Sequence, residues 1–362
     1  SSIFRAEGHA LAQARCRRQF GAGGRRLTAR PVWDVHGHYL PEEALDLMVG
    51  GQAKVKVEHI NGIAESITIN GMPVGATVTQ LASSESILAA MDQAGLDRRI
   101  LTPPPFTYRY WDAAADTLQL CRLLNDAVAS LVASHPHRLF GLCTVPLQDP
   151  ALAQGELDRG LDELGLLGLA VGTNVAGSLL SDDSLRSFFR EVSKRGVPVL
   201  VHPEFVPSPR YPGYYLVNVL GMPVETGATV AGMIFSGMLE ELPDLRVCFV
   251  HGGGVAPPLL GRWIHSWEAR PDTREDTTVA PLEQLGSIYW DSLTHSPATL
   301  SFLVELVGAE HVVVGTDAPF DMEDATPLAS LAAAPRLSED QVSEIQSVTP
   351  LRWLYGSDSQ GG

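Results

Sequence analysis

The sequence predicts a (β/α)8 TIM barrel with a small antiparallel β insertion after its first strand. Three observations carry that expectation. Eight short runs rich in Val, Ile and Leu alternate with longer helical patterns. Such wholly apolar runs mark parallel strands buried on both faces. The 362 residues exceed an ordinary domain yet fit one barrel of this class. Several of the runs also end in His or Asp on the side where such barrels carry their chemistry. A doubly wound sheet is the competing architecture, but no GxGxxG follows the first strand.

Taken in order, residues 1–31 hold seven Arg, no Lys and one acid, Glu7. This segment is expected to be a basic, mobile extension. Its poverty in Ser and lack of amphipathic pattern favour a solvated tail over a transit peptide. The glycines at 21–24 follow no strand, so they are not read as a phosphate loop. The barrel is expected over residues 32–362, with its first strand at Val32–Val35. Residues 53–80 interrupt the alternation: Asn61-Gly62 and Asn70-Gly71 are two-residue hairpin signals between alternating segments. They predict an antiparallel meander, either a lid or a fixed cover of the barrel mouth. The remaining strands are expected at Arg99–Thr102, Leu139–Thr144, Gly168–Val171, Pro198–Val201, Arg246–Val250, Ile288–Asp291 and Val312–Gly315.

Helices fill the intervals. Ser83–Ala94 opens on Ser and stops before Gly95, and Asp182–Arg195 does the same with Asp and Gly196; these residues suit the two ends of a helix. Ala113–Ser134, Ala151–Leu164, Glu225–Leu242, Pro257–Glu268, Ala298–Val307 and Glu339–Leu354 complete the set.

Composition narrows the function. Hydrophobic residues are 45% and charged residues 19%, enough for a large core. Lys and Arg number 26 against 42 Asp and Glu, a formal charge of −16. Beyond residue 31 the balance is 19 basic to 41 acidic, or −22. A body this acidic argues against nucleic acid or an anionic membrane as partner. No apolar run approaches the roughly 18 residues of a membrane span. Cys16, Cys121, Cys143 and Cys248 form no CxxC pair, which fits free buried thiols and a reducing, cytoplasmic location.

The strand ends carry the chemistry. The first ends DVHGH, with His36 and His38; alternate strand residues face one way, so an H-x-H pair is able to chelate one ion. The fifth ends VLVHP with His202, the sixth CFVHGGG with His251, and the eighth VVVGTDAPF with Asp317. One such residue is weak evidence, whereas four strands ending this way in register point to a metal site. His9, His59, His135, His137, His265 and His311 lack the pattern and are read as structural or solvated; His295, after the seventh strand, is a secondary candidate near substrate. HGGG at 251–254 also suits a lipase oxyanion loop, but no G-x-S-x-G accompanies it.

This residue set resembles the amidohydrolase superfamily. Within it the chain looks like the aminocarboxymuconate-semialdehyde decarboxylase family, through DVHGHYLP (34–41), DTLQLCRLLNDAVA (116–129), LGMPVET (220–226), LPDLRVCFVHGGG (242–254) and VVVGTDAPF (312–320). The likeness runs from about residue 33 to the C-terminus. It implies His36, His38, His202 and Asp317 as ligands of one Zn2+, with Mn2+ or another divalent ion as alternatives. It implies His251 as the catalytic histidine acting on metal-bound water, with Asp317 relaying a proton. Binuclear relatives use a Lys or Glu after strand four, where this chain has VGTN.

The resemblance further implies a homodimer in which Arg262 reaches across the interface to a small carboxylic acid substrate, with Asn218 and Phe320 as further substrate contacts. Two positions depart from the pattern. The family's arginine in the meander falls at Gly75, counting back from Met91, and its tryptophan before GMP falls at Asn218. The expected function is therefore a metal-dependent, non-oxidative decarboxylase acting on an altered substrate, an unsaturated or aromatic acid. A hydrolase or hydratase on the same centre is the alternative, and a non-catalytic binding barrel is a third reading that the intact strand-end set disfavours.

Overall fold

The computed structural model describes residues 30–49, 54–60, 63–204 and 210–356. The basic extension, except for its last two residues, and the Asn61-Gly62 turn lie outside these residues. Eight parallel strands run in the order β1 (Trp33–His38), β5 (Arg98–Thr102), β6 (Leu139–Cys143), β7 (Gly168–Gly172), β10 (Val199–His202), β11 (Val247–Phe249), β12 (Ile288–Asp291) and β13 (Val312–Val313). The ring closes where Val35 N–H donates to Val314 O at 2.9 Å and His38 N–H to Ala318 O at 2.8 Å. All eight expected strands are present. The antiparallel insertion is β2 (Val55–Ile60), β3 (Ile63–Ile69) and β4 (Met72–Thr77). Its second turn has Asn70 at φ 53° and Gly71 at φ 82°, the left-handed pair that a two-residue hairpin requires. A short pair absent from the sequence reading, β8 (Asn174–Val175) with β9 (Ser178–Leu179), follows β7.

Period-two alternation places the site. Leu200, Cys248, Tyr289 and Val313 share one buried cluster, while Val199, Val247, Ile288 and Val312 belong to another that reaches the surrounding helices. His202 lies two residues beyond Leu200, and Asp291 two beyond Tyr289, so both continue the first face towards the mouth. A separate buried cluster joins the insertion to the barrel through Val55, Ile67, Val74, Leu81, Phe106 and Leu124.

The capped helices form as their ends dictate. Ser83 Oγ accepts from Ser86 N–H at 3.2 Å, and Gly95 closes that helix at φ 73°. Asp182 Oδ1 accepts from Ser184 N–H at 3.0 Å. Three expected helices are interrupted. Ala151–Leu164 becomes Pro150–Asp158 followed by a π turn over Arg159–Glu163. Glu225–Leu242 is instead Met222–Phe235 followed by Met238–Glu241; Gly237 at φ 68° backs onto Asp276 O, leaving no room for a side chain. The last helix carries a π turn over Glu344–Val348 just before Pro350. Proline clashes with the carbonyl four residues back, and a wide turn relieves it. Thr349 is buried there and donates to Ala309 O at 3.0 Å. Cys121, Cys143 and Cys248 are buried and free. No helix among the described residues is long and apolar enough to cross a membrane.

Candidate metal centre

The strand-end residues converge. His36 Nε2 lies 3.1 Å and His38 Nε2 2.8 Å from Asp317 Oδ1, and His202 Nε2 lies 3.6 Å from the same oxygen. His251 Nε2 is 3.4 Å from Asp317 Oδ2. The H-x-H pair, drawn from β1, thus meets an aspartate 279 residues away. Ligand atoms of His36, His202, His251 and Asp317 all lie within 4.8 Å of one another. This geometric group takes in His251, expected as the base, while His38 stands beside it on Asp317.

The chain pays conformationally for the arrangement. His251 sits at φ 56° and Asp317 at φ 62°, a left-handed region costing non-glycine residues about 1–3 kcal/mol each. The HGGG turn needs its glycines for space as well as conformation: a Cβ at Gly253, at φ 77°, would fall on the Trp290 ring. The chain is thereby able to turn sharply directly after His251.

The imidazoles are oriented from behind. His36 Nδ1–H donates to Asp291 Oδ2 at 2.8 Å, and His202 Nδ1–H to Pro203 O at 2.8 Å. Those bonds fix the tautomer and leave the Nε2 lone pairs facing inward. Both Nε2 atoms are buried and have no hydrogen-bond partner. Lone pairs of His36 and His202 therefore converge on a carboxylate oxygen, an arrangement that a divalent cation satisfies. Asp291 also accepts from Gly252 N–H at 2.8 Å and Leu293 N–H at 3.1 Å. The sequence reading places Asp291 at the end of a strand but gives it no role; the rule that singles out His202 and His251 applies equally to it.

The electrostatics show the same demand for positive charge. Burial pulls the His36 imidazolium down, yet Asp317 beside it and the Asp291 hydrogen bond outweigh burial and hold it at about 10, so the Nε2 lone pair facing Asp317 favours a positive partner, whether a proton or a cation. Burial, reinforced by His251 and His36, drops His202 to about 3, so it stays neutral. Burial also lowers His38. Asp317 is pulled well below the carboxylate range: burial opposes this, but the charge of His36 and the close approach of the surrounding imidazoles prevail. Beneath the cluster, Asp34 accepts from Arg99 Nε–H and Thr316 Oγ1–H, both at 2.7 Å, a buried tie between β1, β5 and the loop after β13.

A cavity of about 340 Å3 opens beside the cluster, reached by His251, Asp317, Asn218, His295 and Met322. A small chamber beside His202 and Asp317 is lined by Phe320, Asn218, Tyr215, Asp321 and Val74 of the insertion. Asn218 and Phe320, the expected substrate contacts, both line this chamber, and the Phe320 ring lies 4.9 Å from that of His38. His295 reaches the cavity too. Arg262 lies exposed on the helix Ala256–Ala269, outside the lining of both spaces and without an ion pair to any described residue. His59, His135 and His265 lie away from the cluster, and His311 bonds Ile288 O at the start of β12.

The sequence profile of the amidohydrolases matches residues 33–354. The chain belongs to the amidohydrolase family. This amidohydrolase is 34% identical over 325 residues to a 2-amino-3-carboxymuconate-6-semialdehyde decarboxylase of Dictyostelium discoideum, covering 89% of this chain and 90% of that one. The resemblance drawn from the motifs is therefore borne out. Its fold matches 5-carboxyvanillate decarboxylase from Sphingomonas paucimobilis with a TM-score of 0.75 at 21% identity, over 90% of this chain and 99% of that one. It also matches a dihydroxybenzoic acid decarboxylase from Polaromonas sp. JS666, solved with bound manganese and 2-nitroresorcinol, with a TM-score of 0.73 at 21% identity over 90% and 97% of the two chains.

Proposed function

We propose that this chain is a metal-dependent, non-oxidative carboxy-lyase acting on a small aromatic or unsaturated carboxylic acid. The observation that carries the reading is the pair of orphaned, inward-facing Nε2 atoms of His36 and His202 converging on Asp317. Decarboxylase relatives along most of the chain support the reaction type.

His36, His38, His202 and Asp317 would hold one divalent ion. Zn2+ suits this nitrogen-rich set, and Mn2+ is the alternative that the Polaromonas relative's bound ion supports. When bound, the ion supplies a Lewis acid that polarises the reacting end of the substrate. His251 would carry the proton, a role supported by its Nε2 lying 3.4 Å from Asp317 Oδ2, which would serve as a relay. The carbon–carboxylate bond breaks, CO2 leaves without the bonding pair, and the carbon keeps that pair and takes the proton from His251.

We read the chain as a homodimer in which Arg262 completes the neighbouring site. Exposed Val219, Leu220, Val224, Leu259 and Phe302 support a covered face beside the cavity. The three buried free thiols support a cytoplasmic setting. The experiment is a panel of aromatic and unsaturated acids, assayed for CO2 with and without Zn2+ or Mn2+. Metal-dependent loss of CO2 is expected; metal-dependent gain of water instead would establish a hydrolase or hydratase. Arg262→Ala is expected to raise KM with little change in kcat, and near-normal kinetics would remove it from the substrate site.

A further inference from the structure

The small chamber is where this chain departs from the pattern that it resembles. Among the described residues, no Lys or Arg lines it or the larger cavity. Besides His202, His251 and Asp317, Asp321 is the one charged group of its lining among the described residues. Asp321 has no ion-pair or hydrogen-bond partner among the described residues. It lies against Gly75 of β4, so closely that a Cβ on Gly75 would coincide with its carboxylate. Gly75 also has φ +81°, a conformation that disfavours any side chain. Gly75 and Asp321 are therefore one device. The position where the resemblance implies an arginine has no side chain, and the space holds a carboxylate of opposite charge.

That reversal bears on what enters. A second carboxylate on the substrate would meet Asp321, exposed at the rim of the chamber, instead of a guanidinium, and like charges there repel, most strongly at low salt. A hydroxyl or amino group at the same place would donate a charge-assisted hydrogen bond to Asp321. Tyr215, half-buried on the chamber wall at φ 55°, adds a neutral hydroxyl. Burial, together with Asp321 and Asp317, pushes its phenol up to about 12. Val74 and Phe320 supply apolar surface between the two ends.

We infer that Asp321, seated against Gly75, selects acids that carry a single carboxylate and, at the end remote from it, a hydroxyl or amino donor. The inference rests on the decarboxylase reading and narrows its substrate class.

The test compares hydroxybenzoic acids with position-matched benzenedicarboxylic acids on the full, metal-loaded protein. Binding is read by calorimetry and CO2 release separately. For the best-bound isomer, the hydroxy acid is expected to bind about tenfold more tightly than its dicarboxylic counterpart, the scale that one net hydrogen bond to an exposed charged group supplies. Asp321→Asn is expected to shrink that ratio several-fold, mainly by tightening the dicarboxylic acid, with the melting temperature unchanged. A wild-type preference for the dicarboxylic acid, or a ratio that Asp321→Asn leaves unmoved, overturns the inference. If no acid releases CO2 but the binding ratio behaves as stated, the decarboxylase reading falls and the role of Asp321 stands. CO2 release with an unmoved ratio has the opposite meaning.

Discussion

Asp291→Asn tests the candidate metal centre through a residue that never touches the ion. Asp291 is fully buried, and its Oδ2 accepts the His36 Nδ1 proton at 2.8 Å. Its Oδ1 accepts from Gly252 and Leu293 N–H at 2.8 and 3.1 Å. Asparagine has the same shape and keeps the two backbone bonds through its carbonyl. Its amide NH2, however, then faces the His36 Nδ1 proton, donor against donor. His36 is forced towards the other tautomer, with the proton on Nε2, 3.1 Å from Asp317 Oδ1. That nitrogen then no longer offers a lone pair. Loss of such a supporting carboxylate costs about 10- to 100-fold in metal affinity, or about 1.4–2.8 kcal/mol. The assay is a competition titration of Zn2+ and Mn2+ against a chromophoric chelator, on chelator-stripped wild type and variant. A melting curve serves as the control for folding. Affinity within twofold of wild type, in a folded variant, would refute the tautomer argument.

Further expectations concern His202, His251 and Glu204. His202→Ala should lose the ion, whereas His251→Ala should retain it, measured as metal content, and abolish turnover. Loss of metal from His251→Ala would make His251 a ligand in place of the base, as its membership of the compact four-residue group allows. Burial, with Glu225 nearby, raises Glu204 to about 8 from its ordinary 4.5. Between those values the folded chain holds a proton that the unfolded chain has released, so this group's contribution to stability falls as pH rises from 4.5 to 8 and then levels off. Glu204→Gln stays neutral, so its melting temperature should gain on wild type from pH 5 to pH 8; a constant gap between the two would contradict the assignment.

Much of the fold was legible because its determinants are local. A strand buried on both faces must be an apolar run, so each of the eight expected strands, from Val32–Val35 to Val312–Gly315, has its counterpart in the barrel. Ser83, Asp182 and Asn70-Gly71 act on residues two or three positions away, and they too behave as read. The kinks were less legible. The break at Gly237 comes from Asp276 O, a backbone atom distant in sequence, and no helical pattern announces it.

The site divides along the same line. The sequence by itself determined which strand ends carry His36, His38, His202, His251 and Asp317, because strand parity and the barrel's mouth follow from local apolar periodicity. It did not single out Asp291, whose importance lies in a bond to His36 255 residues away. Nor did it show that Arg262 is exposed on its helix, or that Asp321 fills the space beside Gly75. Only the tertiary structure decided which lone pairs meet and which charges face the chamber. Those depend on closure of the ring between β1 and β13, which brings the two ends of the chain together at distances that no local pattern encodes.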